Sequence, residues 1–168
     1  QTYLFLGNYY RAQNNRASAV ENYLKAIALD PGALAAPDGS PAPEPLSVLA
    51  LSEYVTRTAE AFRAASQKDP KGIFPHLALA DVYKRANQLD LARRELEQAV
   101  ALAPTDLGVN LTLINFLSEN GQIDAAVPAM GRLLNLLSPQ RTPDFQRYQD
   151  FYNQLQNLQK QIDAVRKA

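Results

Sequence analysis

The feature that most limits what this chain can fold into is a recurring phrase in which an alanine lies five residues before a proline. The phrase occurs at Ala26–Pro31, Ala65–Pro70 and Ala99–Pro104. The last two prolines are 34 residues apart, as are Tyr83 and Leu117. A fixed period of this size is typical of repeat arrays, in which each unit covers the apolar face of its neighbour. The sequence therefore predicts a stack of similar units rather than one irregular core.

A longer pattern of large and small residues occurs three times along the chain. The small residues let two antiparallel helices approach closely, and the large ones fill the space between them at helical spacing. The first copy comprises Tyr3, Leu6, Gly7, Tyr10, Ala19, Tyr23, Ala26 and Pro31; the second His76, Leu79, Ala80, Tyr83, Ala92, Leu96, Ala99 and Pro104; the third Asn110, Leu113, Ile114, Leu117, Ala126, Met130 and Pro139. The pattern resembles that of the tetratricopeptide repeat (TPR) family, apart from exchanges at its aromatic and apolar positions.

The resemblance implies an all-α fold, a right-handed TPR-like α-solenoid of antiparallel helix pairs with about eight helices. We expect TPR units over residues 1–31, 72–104 and 106–139. The two helices of each pair are separated by a short polar break, at Asn14–Asn15, Asn87–Gln88 and Asn120–Gln122. Gly121 suits the left-handed backbone that is common just past a helix end.

The stretch from 32 to 45 interrupts this order, because it holds four of the 11 prolines and two of the seven glycines. We expect a Pro-rich insertion or linker without helix, since lengthening a surface loop costs little free energy. Residues 46–70 follow as a degenerate TPR unit, in which Thr58 and Phe62 fit the second helix. Prolines lie where the first helix should begin. The sequence favours one long or bent helix over 46–68, and two helices remain an alternative.

Residues 143–166 predict a C-terminal helix. Thr142, Pro143 and Asp144 form a helix start, with a capping hydroxyl, a proline in the first turn and a carboxylate near the positive helix end. We favour a capping helix that covers the last repeat, because solenoid ends require one. A coiled-coil contact with a second copy remains open, although fewer than four heptads are present. The apolar stripe comprises Phe145, Tyr148, Tyr152, Leu155, Leu158, Ile162 and Val165.

Composition excludes several classes of function. Seventeen basic residues balance 17 acidic ones, so we expect no nucleic-acid partner. With no cysteine and one histidine, the chain offers no disulfide or thiolate site, and we predict no metal and no cofactor. His76 occupies the slot of a packed aromatic ring, and neither a catalytic triad nor a phosphate loop accompanies it. No apolar stretch is long enough for a membrane-spanning helix. We therefore predict that the chain is not an enzyme and has no catalytic residues.

The TPR resemblance implies a concave face, lined mainly by the first helix of each pair, that holds peptides or partner helices. Its apolar and charged positions predict a groove of mixed character, with an apolar floor and a rim without a dominant sign of charge. Three leucines occupy places where a carboxylate clamp would need charged or amide groups, which argues against a tail-carboxylate ligand. The predicted peptide-binding groove comprises Leu4, Asn8, Arg11, Phe74, Leu77, Asp81, Lys84, Leu111, Asn115 and Ser118.

Three functional hypotheses follow. The first is a non-enzymatic protein–protein interaction scaffold with a protein or peptide partner. The second is a soluble domain of a larger bacterial membrane protein, because the chain begins at Gln1 inside a repeat; some membrane-embedded glycan polymerases and ligases resemble this arrangement. In that case missing upstream sequence would tether the domain to a membrane, and the sequence leaves the localisation open. The third is self-association through the C-terminal helix. One scaffold hosts many functions, so the fold does not choose among them.

Overall fold

The computed structural model describes residues 1–137 and 143–167. Over these ranges the chain forms nine α-helices and one short 3-10 helix, at Pro31–Leu34. The prediction of an all-α fold is therefore confirmed. The positions of Pro139 and Thr142 lie outside the described residues. The helices are α1 (Thr2–Ala12), α2 (Arg16–Leu29), α3 (Pro43–Leu49), α4 (Val55–Lys68), α5 (Phe74–Arg85), α6 (Leu89–Leu102), α7 (Leu107–Glu119), α8 (Ile123–Leu137) and α9 (Pro143–Lys167).

The turns inside the three helix pairs share one backbone geometry. A residue with positive φ follows the first helix in each pair: Asn14 at 59°, Asn87 at 57° and Gly121 at 68°. The next amide then donates to the carbonyl five residues back, which satisfies a carbonyl at the helix end that would otherwise lack a partner. The bonds run from Asn15 to Tyr10 (2.9 Å), from Gln88 to Tyr83 (2.8 Å) and from Gln122 to Leu117 (2.8 Å).

The described chain divides into two compact units, residues 1–102 and residues 103–168. In the first unit α1 packs on α2 and α5 packs on α6. Gly7 is buried inside α1, and a Cβ at this position would overlap the ring of Tyr23 on α2. The small residue therefore permits the close helix approach that the sequence pattern predicted. Ala19 and Tyr23 are fully buried beside it.

The second unit consists of α7, α8 and α9. Helix α8 packs on both α7 and α9, and its buried Met130 and Leu133 contribute to the core of the unit. Among the described residues of α9, Leu155 is the one that is buried, with 3% of its surface exposed. Tyr152 lies against Gly131. A Cβ atom added to Gly131 would lie 3.4 Å from the tyrosine hydroxyl.

The expectation of a single helix over 46–68 is wrong. Helix α3 ends at Leu49, and α4 begins only at Val55. The buried hydroxyl of Thr58 donates to the carbonyl of Leu49 at 3.1 Å, which satisfies a carbonyl at the end of α3. An unbroken helix would place that carbonyl in the helical ladder instead. The break is thus stabilised by a residue that lies one helix further along the chain.

The expectation that residues 32–45 contain no helix is also wrong at both ends of the segment. The 3-10 helix begins it, and α3 already starts at Pro43. Pro43 and Pro45 lie in the first turn of α3, where a missing N–H breaks no helical hydrogen bond. Prolines that looked like helix breakers therefore occupy the part of a helix that tolerates them.

Candidate functional site

The insert, residues 31–45, is a folded part of the first unit. Leu34 keeps only 1% of its surface exposed, and the 3-10 helix packs on both α2 and α5. A small hairpin follows, with a bridge between Ala35 and Pro41. Asp38 closes its turn, because its Oδ1 accepts hydrogen bonds from the Ser40 amide at 2.9 Å and the Ser40 hydroxyl at 2.6 Å. The segment is therefore anchored by burial at one end and by turn hydrogen bonds at the other.

Two adjoining cavities lie between α1 and the insert, with volumes of about 520 Å³ and 230 Å³. Both are lined by Leu4 and Asn8 of α1 and by Ala33 of the insert. We call this continuous depression the α1 trough. Gln1, Phe5, Asp30 and Gly32 complete the larger cavity. Arg11, Leu34, Ala35, Ala42, Glu44 and Pro45 complete the smaller one.

A polar network underlies the smaller cavity. The buried Tyr23 hydroxyl donates to Asn8 Oδ1 at 2.8 Å, and the Arg11 guanidinium is near enough to act on the pKa of this tyrosine. Burial raises the pKa of Tyr23, whereas Arg11 acts to lower it and Glu44 to raise it. The Glu44 carboxylate is thus close enough to act electrostatically on the network. Arg11 Nε is buried and makes no hydrogen bond to any residue that the structure describes.

Two polar contacts connect helix α5 to its neighbours, one to α6 and one to α4. His76 Nδ1 lies 2.8 Å from the Glu95 carboxylate, so the only histidine is paired across the helix interface. Arg63 donates to the Tyr83 hydroxyl at 2.8 Å, and burial raises the pKa of this tyrosine. These groups join α4, α5 and α6, which fits the packing role that the sequence predicted for His76.

The predicted groove residues fall into three groups. Leu4, Asn8 and Arg11 come together in the α1 trough. Phe74 lines another cavity of about 510 Å³, formed with the ends of α2 and α4. Also on α5 are Leu77, Asp81 and Lys84, where Asp81 accepts a 2.6 Å bond from Arg85. Leu111, Asn115 and Ser118 lie on α7 in the second unit.

Sequence reasoning missed the contribution of the insert, since Ala33, Leu34 and Glu44 were not among the predicted groove residues. One signal was available in the sequence. Leu34 is the only large apolar residue between Pro31 and Pro45, and an isolated leucine in a Pro-rich stretch is a candidate anchor against a core.

The described ranges contain no cluster of histidine, cysteine, aspartate or glutamate that could hold a metal ion. Within the same ranges, no helix has the length and apolar character needed to cross a membrane.

The comparisons with known proteins concern these same repeats. A model of the tetratricopeptide repeat family matches residues 85–155, and a second model of that family matches residues 1–32. The two matches together cover more than half of the chain. The chain belongs to the tetratricopeptide repeat family. TPR folds generally serve as non-catalytic scaffolds that bind other proteins, so a protein-interaction role in this general sense is supported.

Solved structures give the same fold assignment. A crystal structure of MamA protein matches with a TM-score of 0.50 and 15% identity, covering 99% of this chain and 87% of that chain. A second MamA crystal structure has a TM-score of 0.46 and 14% identity, covering 93% and 97%. A thermophilic TPR protein of Thermus thermophilus has a TM-score of 0.43 and 18% identity, covering 97% and 84%. Only the first of these structures is similar enough to support an argument. At 15% sequence identity, the similarity shows the TPR-like solenoid fold alone. No curated protein matches the sequence.

Proposed function

We propose that this TPR protein binds an extended segment of a partner protein along the first helices of its repeats. The α1 trough is the observation that carries the proposal, because it brings Leu4, Asn8 and Arg11 together in one depression. Both apolar and polar groups line it, which suits a ligand that buries side chains while keeping its main chain hydrogen-bonded. The proposal also includes the α5 residues Phe74, Leu77, Asp81 and Lys84 and the α7 residues Leu111, Asn115 and Ser118.

A selection of random 12-residue peptides displayed on phage would test the proposal, with the full chain as bait. We expect peptides that bind the wild type and lose affinity in a Leu77→Asp, Lys84→Glu double variant. Leu136→Asp is the matched control, because Leu136 is 47% exposed on α8, lines none of the cavities described above and receives the same charge. Thermal melting followed by circular dichroism must show that each variant is folded. If no peptide is enriched, or if the control loses affinity equally, groove binding is refuted.

Self-association through α9 is a second candidate, favoured by an exposed apolar row on this helix. Leu158 is 42% exposed and Val165 is 78% exposed, and together with Gln161, Ile162 and Arg166 they line a depression of about 320 Å³. Contiguous apolar surface of this kind is common where proteins meet. Light scattering should show a concentration-dependent mass that falls in a Leu158→Asp, Val165→Asp variant. A monomer at every concentration in the wild type removes this candidate.

A further inference from the structure

We propose that the insert is the second wall of the binding site, and that the α1 trough holds an extended polypeptide by a main-chain amide placed between Arg11 and Glu44. This inference rests on the proposed function and adds the chemistry of the ligand to it. It concerns a segment that the repeat pattern does not contain, so it is particular to this chain.

The insert has the stability that a wall of a binding site requires. Leu34 is almost completely buried, and so is Leu46, the first residue after the insert. The Ala42 amide donates to the Leu34 carbonyl at 2.9 Å, and the Ala36 amide donates to the Ser40 carbonyl at 2.7 Å. A segment closed by these bonds presents a fixed surface to α1, so a ligand need not order it on binding.

Arg11 carries a buried donor without a partner. Its Nε is buried without a hydrogen bond among the described residues, and its guanidinium is near enough to Tyr23 to act on the pKa of this tyrosine. A buried donor without a partner is costly and is rare in folded proteins. Because Arg11 lines the smaller cavity of the trough, a turn of its side chain toward the cavity would bring this donor to an acceptor on a bound ligand.

Groups of both charges line the smaller cavity. Glu44 is its acidic residue and Arg11 its basic one. A ligand carboxylate near Arg11 would also approach the Glu44 carboxylate, and like charges repel. A peptide group fits both partners, since its carbonyl accepts from Arg11 and its N–H donates to Glu44. Asn8 contributes further donors, because its Oδ1 already accepts from Tyr23 and its amide nitrogen carries two hydrogens.

The test uses a peptide enriched by phage selection on the full chain, with its affinity measured by isothermal titration calorimetry. Arg11→Lys keeps the positive charge but removes the Nε donor, and we expect about a tenfold loss of affinity. Glu44→Ala should lower the affinity by a similar factor. Glu60→Ala is the control, because Glu60 is exposed on α4 and does not line the trough. If Arg11→Lys fails to fold, Glu44→Ala still decides the question.

Methylating single main-chain amides of the peptide tests the role of Glu44 directly. One N-methyl group should weaken binding to the wild type about tenfold and leave binding to Glu44→Ala unchanged, because the N–H that it removes has lost its acceptor there. Enriched peptides that share an acidic residue and bind Glu44→Ala more tightly would show a carboxylate ligand and overturn the inference. Peptides that bind but ignore both substitutions would also overturn it, and groove binding would survive. If no peptide is enriched, the proposed function fails as well.

Discussion

The Tyr23 hydroxyl donates a 2.8 Å hydrogen bond to Asn8 Oδ1, and this bond joins the core of the first repeat to its candidate binding face. The tyrosine ring occupies the slot of a large residue in the repeat pattern and is fully buried. Its hydroxyl extends to the trough side of α1, where the nearby Arg11 guanidinium acts to lower its pKa. A phenylalanine would fill the same slot but would leave Asn8 Oδ1 without this donor. The core residue therefore also orients the side chains of the site.

Tyr23→Phe should lower the free energy of unfolding by about 1 kcal/mol, because it removes a partly buried hydrogen bond while keeping the ring. Urea denaturation would measure the change. Tyr3→Phe is the matched control, since the Tyr3 ring is half-buried and its described contact is with the Lys25 ammonium, 5.6 Å from the ring centre. Equal stability of Tyr23→Phe and wild type would contradict the structural role of this bond.

Gly7→Ala should destabilise the protein by about 1–3 kcal/mol, because the new methyl group would overlap the Tyr23 ring. Inside a helix this substitution ordinarily stabilises by about 1 kcal/mol, so the expected sign is reversed. Gly131→Ala in α8 is the control, since its methyl group would make only ordinary contact with Tyr152. Thermal denaturation of the two variants should give changes of opposite sign. Stabilisation by both would show that α1 can move away from α2.

Thr58→Val should cost about 1–3 kcal/mol of stability, because it leaves the Leu49 carbonyl at the end of α3 without its hydroxyl partner. Thr56→Val is the control, as Thr56 is exposed near the start of the same helix. Hydrogen exchange followed by nuclear magnetic resonance should also show faster exchange of the amides between Ala50 and Tyr54. Unchanged exchange there would mean that the break between α3 and α4 does not depend on Thr58.

Acid should weaken the attachment of α9 to α8. Hydrogen bonds from Arg166 at 2.9 Å and from Gln159 at 3.2 Å hold the pKa of Asp124 below its ordinary value. Because the folded-state pKa is depressed, this stabilisation is fully present above the unfolded-chain pKa of about 3.9 and is lost as the pH falls through the folded value. Titration of the Asp124 carboxyl by nuclear magnetic resonance should show its pKa rising in Arg166→Gln but not in Arg132→Gln. The same pKa in both variants would refute the pairing.

The helix pairs could be predicted because their determinants are local or periodic. Gly121 indicates a turn because glycine readily adopts a left-handed backbone, and Ala92 and Ala99 indicate close helix contacts through their size. The break between α3 and α4 was not favoured by the sequence, because the hydrogen bond that stabilises it runs from Thr58 to a carbonyl nine residues earlier. Of the residues that line the trough, only Leu4, Asn8 and Arg11 were among the predicted groove residues. The insert residues beside them belong to a segment without periodicity.

The sequence by itself determined that this chain is a helical repeat protein, since a 34-residue period and the spacing of small and large residues do not depend on any distant contact. It also determined the family and the absence of cysteine chemistry. Only the tertiary structure decided where the Pro-rich insert lies. Burial of Leu34 folds that segment beside α1, and no local preference of prolines and glycines encodes where a single leucine will be buried. That packing also brings Glu44 near Arg11. No sequence pattern links these two residues.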